Sequence, residues 1–362
     1  VDGTAPPYDE GPDTLAGVES RPHWAARVEY ALVRRTAAIL RRRRWVPRVE
    51  PYPGYGTGDW VRVLARAVLA PPGTASDEVS ERDHPERSVR GWRSFWSAEV
   101  PFQEVTVSVG DRSFRVRADR GGYVDAVLPS DLGPGWHDVT FTVADESVTG
   151  PVRIIGPEPR TALVSDIDDT VMVTALPRPL LAAWNAFVLH EHARRTVPGM
   201  AELLRRWEQT HEQAPTFYVS TGAWNVAPAL RRFLQRHGFP PGPMLLTDWG
   251  PTNTGWFRSG REHKRAALDR LMAELPQLTF ALLGDDGQHD PQIYAEAVAE
   301  HPGRVAVVGI RQLSPAEQVL AHGLPLPLRN TARTDAPVVV QGADGHELLL
   351  RMVDAGIVPP LV

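Results

Sequence analysis

In the run TALVSDIDDTVMV, the aspartates Asp166, Asp168 and Asp169 follow directly on a short apolar stretch. Residues two apart in extended backbone point to the same side, so Asp166 and Asp168 face one pocket while Ile167 packs away from it. Two carboxylates that close do not ionise independently. Repulsion raises the pKa of one, a bound cation keeps the other charged, and the pair divides into a nucleophile and a general acid. Covalent chemistry through an aspartyl-phosphate fits that division. Taken alone, a DxDxT string is equally explained by a solvated turn or a helix cap, so the rest of the chain has to decide. Ser220 ends the run TFYVS, Lys264 stands in HKRAALDRL, and Asp285 and Asp286 close TFALLGDD. Two adjacent carboxylates at the end of an apolar run are costly unless paired or metal-bound, which marks Asp285 and Asp286 as metal ligands.

These groups need elements to hold them. From residue 160 the chain alternates short, nearly continuous apolar runs (161–166, 216–220, 243–248, 279–286 and 304–310) with helix-like segments. Such runs read as strands covered on both faces, hence a parallel α/β sheet. Ligands of these sheets bind beyond the carboxyl ends of the strands. All but the last of the runs finish in Asp or Ser, which puts polar groups where a site is expected. The segment APVVVQGADGHELLLRMV adds a strand, a turn and a helix that close this part.

Ahead of it the rhythm differs. Residues 1–20 read as a leader, and 24–45 as a helix with Val28, Ala31, Leu32 and Ile39 on one face, ending in RRRRW. From 46 on, short runs alternate with period two, as in Val105, Val107, Val109 and in Val139, Phe141, Val143, separated by Gly, Pro and Asp. That predicts a small antiparallel β-sandwich. GYGTGDW at 54–60 lacks the third glycine of a dinucleotide fingerprint and precedes a strand, so it reads as a turn. The expected division is leader and basic helix 1–45, β-sandwich 46–158, and α/β part 159–362.

The motifs VSDIDDT, YVST, HK and GDDGQHD stand in the order of the four motifs of the haloacid dehalogenase superfamily of phosphatases, which residues 160–312 resemble. The tract GDDGQHDPQIYAEAVAEHPGRVAVVGIR is more closely similar to the fungal actin-patch-associated phosphatidate phosphatase family and its bacterial relatives. The resemblance implies a Rossmann-like parallel sheet with a minimal cap, Asp166 as nucleophile and Asp168 as general acid and base. It also implies Ser220 and Lys264 on the phosphoryl group, and an aspartate of 285 or 286 in a Mg²⁺ site with Asp166 and the Asp168 carbonyl. Asp290 is either a further ligand or the partner of Lys264. Thr170, and Thr221 and Gly222 at a helix start, are expected to bind the substrate. The stretch TGAWN departs from the proline-containing sequence expected there, which bears on substrate preference.

The substrate expectation is phosphatidate, cleaved to diacylglycerol and phosphate. The loop DWGPTNTGWFRSGREH carries Trp249, Trp256, Phe257, Arg258 and Arg261, a pairing of arginines with interfacial aromatics that suits an anionic lipid surface. A peripheral membrane contact is also open to RRRRW, although arginines at a helix C-terminus equally suit the macrodipole. The alternatives are a soluble or macromolecular phosphomonoester, or a non-catalytic binding protein that uses the β-sandwich.

Composition sets the limits. The 362-residue chain is long enough for two hydrophobic cores and has a net charge of −5, which gives no global attraction to nucleic acid. It has no cysteine, so disulfides, thiolate metal sites and a cysteine nucleophile are excluded. HEH at 190–192 lacks the spacing of a zinc protease. No transmembrane stretch or secretory signal is evident, and a cytoplasmic protein is expected.

Overall fold

In a computed structural model, the described residues are 35, 39–40, 42–71, 98–158, 161–173, 195–211, 214–247, 260–287, 289–314, 317 and 336–360. Of the expected helix at 24–45, Arg35, Ile39, Leu40 and Arg42 are helical, and most of the rest lies outside the described residues, as do the region 174–194 of the expected minimal cap and the loop 248–259.

The described residues are α/β, with two sheets. Strands β9 (Thr161–Asp166), β10 (Thr216–Ala223), β11 (Met244–Thr247), β12 (Thr279–Asp285), β13 (Val305–Arg311) and β14 (Val338–Gly342) form a six-stranded sheet in the order β11-β10-β9-β12-β13-β14. Every pairing in it is parallel. Alternation within the strands feeds two cores. Leu163, Tyr218 and Leu283 pack with helices α1 (Met200–Thr210), α2 (Ala227–Arg236) and α5 (Gly345–Asp354). Ala162, Val164, Phe217, Val219 and Leu282 pack with α3 (Gly260–Glu274) and α4 (Asp290–Glu300). Both faces are therefore covered, which is why these strands read as continuous apolar runs.

The second sheet departs from the expected sandwich. Strands β1 (Val46–Gly56), β2 (Trp60–Ala70), β3 (Ala98–Glu99), β4 (Glu104–Val109), β5 (Arg112–Arg117), β6 (Tyr123–Pro129), β7 (Gly135–Val143) and β8 (Glu146–Ile154) form one hydrogen-bonded sheet. Its order is β3-β2-β1-β8-β7-β4-β5, with β6 branching from β2. It is mixed, because β1 runs parallel to β8, and it curls in a barrel-like way around Val63, Val107, Phe141 and their neighbours. Alternation identifies a half-buried strand but not its partner, so it cannot separate two stacked sheets from one curled sheet.

Strand β1 itself is a correction. GYGTGDW at 54–60 reads as a turn in the sequence, but Gly54–Gly56 belong to the strand, and the turn falls at Thr57–Asp59. The prolines are tolerated because β1 meets β8 only from Gly54 on, leaving Pro47, Pro51 and Pro53 outside that pairing. Gly54 is required, since a Cβ there would lie 2.3 Å from the carbonyl of Arg62.

A register shift in the β1–β2 pairing between Tyr52 and Tyr55, opposite Leu64 and Arg62, brings these two residues to one face of the mixed sheet, and their side chains join different cores of the parallel sheet. Tyr52 stacks on Trp224, while Tyr55 meets Phe217 edge to face. The Tyr55 hydroxyl donates to Glu274 Oε2 at 2.6 Å, and Arg62 Nε donates to the same oxygen at 3.2 Å. Removing Glu274 leaves a buried phenol and a guanidinium short of an acceptor. Glu274→Ala is expected to cost about 1–3 kcal/mol of stability, read as a lower urea midpoint.

Candidate active site

Strand β9 delivers Asp166 to the carboxyl edge of the parallel sheet, where it is 1 % exposed. Beyond it the chain turns sharply: the Val171 and Met172 amides both donate to the Ile167 carbonyl, and Asp169 takes a left-handed φ of 57°. An L-residue in that region pays about 1–2 kcal/mol, so neighbouring contacts must hold it. The Asp169 amide donates to Met172 at 2.8 Å, and its carbonyl accepts from Arg311 Nη1 at 2.6 Å. Arg311 also donates to Ala343 O and to Glu317 Oε1, so one buried guanidinium at the end of β13 fastens three segments.

Helix α3 brings Lys264 to the same point. Its ammonium lies 2.7 Å from Asp166 Oδ1 and 2.6 Å from Asp290 Oδ1. Helix α3 can start so close because Gly260 packs against Thr221; a Cβ on Gly260 would lie 2.6 Å from Thr221 Cγ2. Asp290, the first residue of α4, approaches over Gly284, whose Cβ would meet Asp290 Oδ2 at 2.5 Å. Asp290 Oδ2 accepts from the Asp285 amide at 3.3 Å.

From β10, the Ser220 hydroxyl donates to Asp168 Oδ2 at 3.0 Å and accepts from the Gly222 amide at 2.9 Å. Thr170 Oγ1 donates to Asp166 Oδ2 at 3.3 Å. Asp286 faces away from the acidic cluster, with Oδ1 accepting from the Leu313 amide at 2.8 Å.

The electrostatics are lopsided. Burial pushes the Asp166 carboxyl well above the usual carboxylate range; Lys264 opposes this, and Asp290, Asp285 and Asp168 add to it. Asp285 is raised likewise, by burial and then by Asp290. Burial alone would lower the Lys264 ammonium, but Asp166, Asp290 and Asp285 outweigh it and hold the proton above its ordinary range. One cation thus serves several buried carboxylates. Ligand oxygens of Asp166, Asp285 and Asp290 lie within 4.8 Å of one another, and Asp285 Oδ2 is buried with no hydrogen-bond partner among the described residues. An orphaned carboxylate oxygen in an all-oxygen set fits a hard divalent cation.

The structure thus brings together Asp166, Asp168, Thr170, Ser220, Gly222, Lys264, Asp285 and Asp290. Arg261 instead pairs with Glu296 on α4, and Arg258 lies outside the described residues. Sequence reasoning missed Arg311, although its signal was there: the one apolar run without an acidic or hydroxyl end is followed directly by a base.

With this geometry in view, the comparisons are specific. Residues 161–312 match the family model described as phosphatidate phosphatase APP1, catalytic domain. That segment is similar to the catalytic domain of the APP1-like phosphatidate phosphatase family. The phosphatidate phosphatase APP1 of Saccharomyces cerevisiae is 25% identical over 251 residues, covering 64% of this chain and 41% of the yeast protein. An uncharacterized protein of Schizosaccharomyces pombe is 27% identical over 153 residues, covering 42% of this chain and 25% of that protein. The chain therefore spans less than half the length of these curated relatives. Among solved structures, a carbohydrate acetylesterase from Xanthomonas citri aligns at 11% identity and a TM-score of 0.28 over 76% of this chain and 73% of that one, too poor a superposition to indicate a shared fold.

Two measurements follow from the site's charge and its clamp. Asp285→Asn removes a buried charge short of compensation, so the metal-free protein is expected to melt higher, while the rise in Tm on adding a divalent cation shrinks. Arg311→Met strips the Asp169 carbonyl and Glu317 of their donor and is expected to lower stability by about 1–3 kcal/mol in urea titration.

Proposed function

We propose that this chain is a Mg²⁺-dependent phosphomonoester hydrolase of the haloacid dehalogenase type whose substrate is phosphatidate. The observation that carries the reading is the convergence, inside the segment that matches the family's catalytic domain, of Asp166 on Lys264 and of Ser220 on Asp168. The proposed division is a leader and helix to residue 45, a β-rich part over 46–158, and a catalytic part over 159–362.

In the proposed reaction an Asp166 oxygen attacks phosphorus and the bond to the leaving alkoxide breaks, giving an aspartyl-phosphate and, with a proton from Asp168, the alcohol. Water, deprotonated by Asp168, then attacks the same phosphorus and releases Asp166 and inorganic phosphate. Ser220 and the Thr221 and Gly222 amides bind the phosphoryl oxygens, and Thr170 steadies Asp166. Lys264 opposes the effect of burial on Asp166 and offsets charge on the transferring group, the larger part of what such a loose transition state asks of a protein. Asp166 and Asp285, with Asp290 in reach, would hold Mg²⁺, which when bound supplies charge neutralisation and alignment. Because both Asp290 oxygens already engage Lys264 and the Asp285 amide, we assign Asp290 first to positioning Lys264.

Phosphatidate rests on the family resemblance; the pairing of Arg261 with Glu296 removes one of the two arginines expected on the lipid side and keeps a soluble phosphomonoester as the second reading. No helix among the described residues is long and apolar enough to cross a membrane. Phosphate release from phosphatidate in mixed micelles, beside a panel of soluble phosphomonoesters, separates the two. Turnover is expected with Mg²⁺, lost with chelator, and reduced at least about 10³-fold in Asp166→Asn. Release from soluble esters alone would keep the chemistry and discard the lipid.

A further inference from the structure

The proposed phosphate turn, Ser220 to Gly222, is held from behind by the other sheet. Trp224, two residues past Gly222, opens a 3₁₀ turn where the chain leaves β10. Tyr52 of β1 stacks on its indole with ring centres 4.7 Å apart and planes 23° from parallel, and the Tyr52 hydroxyl donates to the Trp224 carbonyl at 3.3 Å. Tyr123 of β6 approaches the same indole at 6.4 Å. Over the Tyr123 ring lies the guanidinium of Arg66, 5.3 Å from its centre, itself paired with Glu99. Leu64 of β2 sits with Tyr52 in the core that contains Ile167, Val171 and Met172 of the Asp166 loop. The mixed sheet thus backs the residue at which the chain leaves the phosphate turn.

We propose that Tyr52 is a positioning residue for phosphoryl binding: by fixing the ring and carbonyl of Trp224 it sets the course of the chain from Ser220, and hence where the Ser220 hydroxyl and the Thr221 and Gly222 amides point. It rests on the reading of Ser220–Gly222 as the phosphate turn. The alternative is that Tyr52 merely glues two sheets together. A second contact between the same sheets supplies the comparison, because Glu274, which holds Tyr55 and Arg62, is the last residue of α3, ten positions from Lys264. Glue alone would make the two contacts equivalent in their effect on turnover. Positioning makes only Tyr52 matter, since small displacements of groups aligned on a reacting phosphoryl are costly in rate.

The experiment uses the full chain with Mg²⁺, p-nitrophenyl phosphate as substrate and inorganic phosphate as competitive inhibitor, with urea midpoints for every variant. Tyr52→Leu is expected to lower kcat/KM and raise the phosphate inhibition constant, each about 10-fold. Glu274→Ala, at a comparable loss of stability, should leave both within about twofold of wild type, as for uniform structural loosening. Tyr52→Phe, which keeps the ring, should recover most of the loss. Should Tyr52→Leu fail to fold, Trp224→Phe carries the test: the smaller ring should weaken phosphate inhibition about threefold, a fraction of the alignment effect. Wild-type values in Tyr52→Leu or Trp224→Phe, or equal losses in Glu274→Ala at matched stability, overturn the proposal and leave the phosphatase reading standing. A wild-type protein without turnover that Asp166→Asn abolishes would overturn that reading, and this proposal with it.

Discussion

An ammonium ion buried among carboxylates needs its counter-charges placed before it can be desolvated, and the Lys264 ammonium between Asp166 and Asp290 imposes that order on its surroundings. Burial raises the Asp166 carboxyl, which Lys264 opposes, and burial would lower the Lys264 ammonium without its carboxylate neighbours. Several local features serve this contact. Gly284 makes room for Asp290, Gly260 lets α3 start against Thr221, and the parallel sheet ends β9 and β12 at the same level so that Asp166 and Asp285 meet. The arrangement still carries more negative than positive charge. Such an excess is the reason a cation has somewhere to go.

The loop after Asp166 shows the complementary problem, how to hold a backbone shape that the sequence does not favour. Asp169 sits in a left-handed conformation with no glycine to ease it. Its amide is taken by Met172 and its carbonyl by Arg311, and that arginine is held in turn by Glu317 and by the β14–α5 turn. The C-terminal strand and helix therefore do more than close the sheet; they back the guanidinium that holds the loop.

Much of this was legible beforehand. The apolar runs from 161 to 310 correspond to β9 to β13, and the acidic or hydroxyl ends of the runs in β9, β10 and β12 fall at the candidate site, because a doubly covered strand and a buried carboxylate each leave a strong local mark. The family resemblance held for the same reason. What escaped were relations between distant segments. Alternation in β4 and β7 could not say that one mixed sheet curls on itself, and the prolines of β1 disguised a strand whose unpaired edge accommodates them. Arg311 acts through a carbonyl 142 residues away, and Tyr52 through an indole 172 residues away, separations at which a local pattern says nothing.

Those separations also order events in time. Tyr52 and Tyr55 leave the ribosome first, and the groups that receive them, Trp224 and Glu274, come 172 and 219 residues later. At about 5–20 residues per second, the interval is on the order of 10–40 s. Throughout it the mixed sheet, even if its own strands have paired, presents two aromatic rings whose partners in the parallel sheet, Trp224 and Phe217, do not yet exist. The nascent chain therefore passes through a stage at which its outer face is adhesive, and concentration and chaperone supply during synthesis bear on how much of it reaches the native state.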